Sequence, residues 1–169
     1  MIKIKVSDLS NGRYDYDFEG KASELGILEP YVGNFKTKVV LSKFDSQIIL
    51  DSETGITANL LCDRCAKEFQ SVIKSNYRIV YLFRVNYDDE ESEKEEVVYI
   101  HPETDKIELD KDVRDYAVLA VPMKNLCSDD CKGLCPKCGK NLNDGPCNCN
   151  KENLDPRWEP IHKLKSKNK

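Results

Sequence analysis

Histidine is nearly absent from this chain of 169 residues: His101 and His162 are the only two, far apart and outside any local ligand or triad pattern. Histidine-based acid–base or nucleophilic catalysis therefore has little material. There is no glycine-rich phosphate loop, which removes the commonest nucleotide-binding motif. No run reaches the roughly 18 apolar residues of a membrane-spanning helix. The opening MIKIKVSDLS has neither an apolar h-region nor a small-residue cleavage site, so the expectation is a cytoplasmic protein in a reducing compartment. Together these absences predict no enzyme, no membrane association and no small-molecule substrate.

Cysteine, by contrast, is abundant and clustered. Six of eight cysteines lie in the string CSDDCKGLCPKCGKNLNDGPCNC, from Cys127 to Cys149, and the other two form an isolated pair, Cys62 and Cys65. Thiolates bind zinc tetrahedrally, and a Cys-x-x-Cys pair on a tight turn lets two sulfurs reach one ion. Cys62/Cys65 and Cys135/Cys138 have that spacing, and Gly139 after the second pair tolerates the positive φ of such a turn. A structural site needs four ligands. Cys147 and Cys149 follow Cys135/Cys138 across the polar, turn-prone KNLNDGP, which leaves Cys127 and Cys131 for Cys62/Cys65. The expectation is two zinc ions, one in a local site and one fastening the C-terminal segment to a distant part of the chain. A six-sulfur C-terminal cluster would leave the distant pair without partners. A disulfide framework fits a reducing compartment poorly, and a thioredoxin-type redox pair requires a βαβ pattern that is missing here.

Length suits one domain, or one domain with a small appendage. Hydrophobic residues at 40% allow only a modest core, which structural zinc would supplement by on the order of 10 kcal/mol. The formal charge is −4, and eight thiolates holding two divalent ions add four more negative charges, giving about −8. That balance does not suit a simple nucleic-acid binder. The charge is uneven: residues 88–96 read DDEESEKEE, whereas the tail from Ile161 carries Lys163, Lys165, Lys167 and Lys169 without an acid. The first reads as a solvated loop and the second as a solubilising end; the alternatives are repulsion or mimicry of nucleic acid, or a docking surface, for the first and added phosphate affinity for the second.

Before residue 110 the pattern has the period of two of half-buried strands. Ile2, Ile4 and Val6 alternate with polar residues, as do Tyr14, Tyr16 and Phe18, and then Phe35, Thr37, Val39 and Leu41. Ile48 and Leu50 lead to an expected turn at SETG (52–55), followed by Ile56, Ala58 and Leu60 up to Cys62. Phe69, Ile73, Tyr77, Ile79, Tyr81 and Phe83 share one parity, which suggests a bent strand wrapping a barrel-like sheet, with Cys62–Cys65 at a hairpin tip. Val97–Ile100 is a short strand, and Ile107–Leu109 precedes a switch of period. Val113, Tyr116, Ala117 and Ala120 then fall at helical spacing, with Asp110 as N-cap and Pro122 as the stop.

The segment CDRC with its following strand, the step AVP, the string LCSDDCKGLCPKCGKNLNDGPCNC and the segment DPRWEPIHKLK together resemble the YceD family, which is named for accumulation of large-subunit (23S) ribosomal RNA. The likeness is tight at Leu61–Phe69 and Pro122–Lys165 and loose in the N-terminal strands. It implies a cytoplasmic bacterial or plastid-type protein that supports synthesis, processing or stability of 23S rRNA beside a large-subunit ribosomal protein, without enzymatic activity. Family members differ in their C-terminal cysteines; all eight are present here. Within the motif, Arg64 sits between the two knuckle cysteines, and Arg157 and Trp158 follow the last ones. An arginine can fork onto phosphate and a tryptophan can stack on an unpaired base. The plainer roles are charge balance for the thiolates and anchoring of the C-terminal segment.

The resulting expectation is an α+β, β-rich protein: an antiparallel barrel-like sheet with one amphipathic helix over residues 1–121, and a zinc-ribbon-like segment with a basic tail over 122–169. Its partner is large-subunit rRNA or a basic ribosomal protein. A redox-responsive zinc switch and a zinc-ribbon adaptor in transcription or translation are the alternatives.

Overall fold

The computed structural model describes residues 1–84 and 97–149. The acidic run, the lysine tail, Arg157 and Trp158 lie outside the described residues. The chain forms β1 (Lys3–Lys5), β2 (Gly12–Lys21), β3 (Tyr31–Lys43), β4 (Gln47–Leu61), β5 (Glu68–Phe83), β6 (Val97–Ile100), β7 (Lys106–Glu108) and one helix, α1 (Asp110–Leu119). The described residues are mostly β-sheet with a single α-helix.

Strands β2 to β5 form an antiparallel meander, and β6 adds in parallel beside β5, in the order β2-β3-β4-β5-β6. The sheet is open, which corrects the barrel-like expectation. Closure would require β2 to bond β6. The inner face is covered instead by the separate antiparallel ribbon β1–β7 and by α1, whose apolar side chains join one contiguous core with those of the sheet. The strand periodicity is faithful to this arrangement: Ile48, Leu50, Ile56 and Ala58 on β4 are buried, as are Ile73, Tyr77, Ile79 and Tyr81 on β5.

No turn forms at 52–55. β4 runs straight through it, paired on both sides, with Gly55 opposite Lys36 and Lys74. Ladder hydrogen bonds on both edges of a central strand outweigh the local turn preference of Ser, Thr and Gly. The parity then turns Ser52 and Thr54 inward. Thr54 faces Thr37 across the ladder, and their buried hydroxyls hydrogen-bond at 2.9 Å.

The helix also starts differently from the expectation. Leu109 occupies the N-cap position without a side-chain cap. The Asp110 carboxylate instead accepts the Ile2 N–H at 2.5 Å, while the Leu109 N–H donates to the Ile2 carbonyl. The first turn is thereby tied to β1. Val113 and Ala117 are buried, Tyr116 stacks on Tyr77 with ring centroids 4.4 Å apart, and the Tyr31 hydroxyl donates to the Ala117 carbonyl. No helix among the described residues is long and apolar enough to cross a membrane.

The register of β4 with β5 is unbroken from Gln47–Leu82 to Leu61–Glu68. This long hairpin carries residues 62–67 at its tip.

Candidate metal centres

At the hairpin tip, the Cys62 N–H donates to the Lys67 carbonyl at 2.9 Å and the Ala66 N–H donates to the Cys62 carbonyl at 2.8 Å. The turn closes through Ala66 at φ 53°. The same construction recurs at the second Cys-x-x-Cys. There the Cys135 N–H donates to the Lys140 carbonyl at 2.8 Å, the Gly139 N–H to the Cys135 carbonyl at 2.9 Å, and Gly139 has φ 71°. Both turns aim two sulfurs to one side, and the glycine announces only the second.

The C-terminal segment docks on the hairpin tip by backbone pairing. The Asp63 N–H donates to the Asn125 carbonyl at 2.8 Å, and the Asn125 N–H returns to the Asp63 carboxylate at 2.6 Å. The Leu134 N–H donates to the Arg64 carbonyl at 3.0 Å. Gly133 beside it has φ 74°, and a Cβ there would stand 2.9 Å from that same carbonyl oxygen, so the approach depends on glycine. The Arg64 guanidinium donates to the carbonyls of Asp129 (3.0 Å) and Cys131 (2.9 Å). Arg64 therefore forms part of this junction.

This docking brings together Cys62, Cys65, Cys127 and Cys131, and the local loop brings together Cys135, Cys138, Cys147 and Cys149. Within each group the four sulfurs lie within 4.8 Å of one another. In the inner group Cys62 and Cys131 are 3.8 Å apart and Cys65 and Cys127 3.6 Å; in the outer group Cys135 and Cys147 are 3.4 Å apart. Zinc–sulfur bonds of about 2.3 Å at tetrahedral angles place sulfurs about 3.8 Å apart, whereas a disulfide needs about 2.05 Å. All eight thiols are free, so both groups could hold metal ions, and their donor set suits zinc. Three inner cysteines are buried and Cys127 is half-buried, whereas in the outer group only Cys135 is buried and Cys138 is exposed.

The electrostatics are those of crowded sulfurs. The Cys127 backbone N–H, helped by those of Cys65 and Arg64, holds the Cys62 thiol down to about 6. The Cys138 and Lys137 N–H groups do the same for Cys135, also to about 6. Cys127 is pushed up to about 12 by desolvation and its sulfur neighbours, and Cys149 to about 12 by the Cys138 sulfur and desolvation. Four thiolates cannot share so small a volume without a cation.

Several residues of the junction carry no motif signal. Ala66 lacks the glycine that marks its counterpart, Asp63 and Asn125 are common surface residues, and Gly133 is intelligible only once the Arg64 carbonyl is seen against it. Asn143, whose amide touches Cys131, resembles any loop asparagine.

A sequence model described as "Large ribosomal RNA subunit accumulation protein YceD" matches residues 50–165. Among curated proteins, the chain is 28% identical over 140 residues to "Large ribosomal RNA subunit accumulation protein YCED homolog 1, chloroplastic" of Arabidopsis thaliana, covering 69% of this chain and 44% of that protein. It is 23% identical over 186 residues to the Zea mays protein of the same name, covering 90% and 62%. It is 32% identical over 100 residues to an uncharacterized protein of Mycobacterium tuberculosis, covering 59% and 47%. The chain thus spans about half the length of the Arabidopsis and mycobacterial relatives. No solved structure matches.

Proposed function

Because the chain belongs to the YceD family of large ribosomal RNA subunit accumulation proteins, we propose that it is a non-enzymatic, cytoplasmic zinc-binding protein that supports accumulation of 23S rRNA. The observation that carries the metal part of this reading is the pair of four-sulfur groups. Bound there, zinc would supply charge neutralisation and a tetrahedral cross-link without an open position for substrate or water. Cys62 and Cys65 present the hairpin tip, and Cys127 and Cys131 fix the C-terminal segment against it. The outer four cysteines fold the loop that follows. The product is one rigid surface built from residues of the hairpin tip and of 125–149.

The net charge of −4 favours contact through a basic ribosomal protein over direct grip on phosphate. The exposed face of the sheet agrees with that choice. Its charges of both signs pair across strands, as in Lys36–Glu19 (2.9 Å) and Arg78–Asp51 (2.6 Å), rather than forming a basic stripe. The Arg64 guanidinium is engaged with two carbonyls, which supports a holding role. The acidic run at 88–96 is the proposed docking element for the basic partner.

The test is the ratio of 23S to 16S rRNA in cells depleted of the protein and complemented with either the native chain or Cys62→Ser/Cys65→Ser. A fall on depletion, restored only by the native chain, is expected; an unchanged ratio on depletion would refute the reading. Affinity purification with and without nuclease tells a protein partner, which survives digestion, from an RNA one. The exposed Cys138 favours one second reading, a redox-responsive switch. It requires mild peroxide to release metal before the fold is lost.

A further inference from the structure

The inner group of sulfurs has a neighbour that belongs to the outer group's loop. Asn143 lies in the 3-10 turn Leu142–Asp144, between Cys138 and Cys147, within the loop that the outer cysteines close. Its amide is oriented from both ends. The Lys132 backbone N–H donates to Oδ1 at 2.8 Å, which turns Nδ2 toward the Cys131 sulfur at 3.3 Å. Nδ2 also donates to Asn141 Oδ1 at 2.8 Å, and that oxygen accepts the Asn143 backbone N–H at 3.0 Å. The Leu142 N–H donates to the Gly133 carbonyl at 2.9 Å, so the turn is fastened to the segment leaving Cys131. An N–H donated to a thiolate drains charge from the sulfur and fixes its orientation, and such outer contacts commonly govern how firmly a ligand holds its ion.

We propose that Asn143 is a positioning residue for the inner metal centre and the physical link by which the outer loop supports it. This rests on the metal-binding reading above. Removal of the amide donor loosens the inner centre while leaving the four outer cysteines in place.

The test uses the full chain loaded with ¹¹³Cd²⁺ in place of zinc, with the two expected resonances assigned by Cys147→Ser/Cys149→Ser. Asn143→Asp is isosteric and keeps an acceptor for the Lys132 N–H, but sets an oxygen against the Cys131 sulfur. Asn143→Ala removes the donor without adding charge. In both, the inner resonance moves and the outer one stays. The affinity of the inner centre for the metal, read by competition with a chelator, falls about 10- to 100-fold, the range usual when a hydrogen-bond partner of a metal ligand is lost. Two resonances with the inner one unmoved and its affinity unchanged in both variants would overturn the role of Asn143 while sparing the metal reading. A native chain binding fewer than two cadmium ions would overturn both.

Discussion

Replacement of Gly133 by alanine tests the junction most sharply, because Gly139 provides a matched control. Both glycines sit at nearly the same positive φ, 74° and 71°. A Cβ at Gly133 would stand 2.9 Å from the Arg64 carbonyl oxygen, whereas at Gly139 it would meet nothing within 4 Å. The left-handed conformation alone costs an L-residue about 1–2 kcal/mol. Gly139→Ala should therefore weaken metal binding at the outer centre by about 5- to 30-fold, at 1.4 kcal/mol per decade. Gly133→Ala incurs the same conformational cost and must also push the Arg64 carbonyl away, stretching the 3.0 Å bond from the Leu134 N–H. A hydrogen bond contributes about 0.5–1.5 kcal/mol net, so the sum is about 1.5–3.5 kcal/mol and the inner centre should weaken by about 10- to 300-fold. Zinc competition against a chromophoric chelator measures each centre in the full chain. If Gly133→Ala weakens the inner centre no more than Gly139→Ala weakens the outer one, the backbone crossing is not what docks the C-terminal segment.

Three further outcomes follow from the fold. Ala66 already bears a positive φ of 53° at the first knuckle, so Ala66→Gly should leave the inner centre as tight or tighten it by up to about 1 kcal/mol, strain relief being partly offset by unfolded-chain entropy; clear weakening in chelator competition would contradict this. Thr37→Val or Thr54→Val alone strands one buried hydroxyl and should cost about 1–3 kcal/mol, while the double variant should lie near the native chain; additive losses in urea melts would refute the pairing. Burial raises the hydroxyl pKa of Tyr77 and of Tyr81 above the ordinary tyrosine value. Both stay neutral in the folded state while their unfolded counterparts ionise, so their contribution is complete below about pH 10 and is lost as pH rises beyond it. Absorbance at 295 nm should show a fraction of the tyrosines ionising only with unfolding, and full ionisation near pH 10 with the sheet intact would be contrary.

What the sequence reveals is set by how local the controlling physics is. The parity of Phe69 through Phe83 predicts β5, and the spacing of Val113, Tyr116 and Ala117 predicts α1, because each pattern is a face turned to the core. The grouping of the cysteines follows from spacing and the need for four ligands. Ser52–Gly55 mislead because their place in a central strand is decided by β3 and β5, not by their own preferences. Asp110 misleads in the same way: its partner, the Ile2 N–H, is at the far end of the chain. Sheet closure is likewise a non-local outcome: among the described residues β1 pairs with β7, and β2 and β6 end the larger sheet. The hairpin clamp of Asp63 with Asn125 and the contact of Asn143 with Cys131 depend on a fold already formed, so no short motif marks them.

The eight cysteines stand in two groups of four that could each hold a metal ion, one local and one joining the hairpin tip to the C-terminal segment. The most direct measurement is the zinc content of the full chain purified without chelator, with each cysteine pair replaced in turn by serine. Two ions per chain are expected, with one lost on replacing either Cys62/Cys65 or Cys127/Cys131 and the other on replacing Cys135/Cys138 or Cys147/Cys149. A zinc content that does not change when Cys62 and Cys65 are replaced would contradict a metal centre joining the hairpin tip to the C-terminal segment.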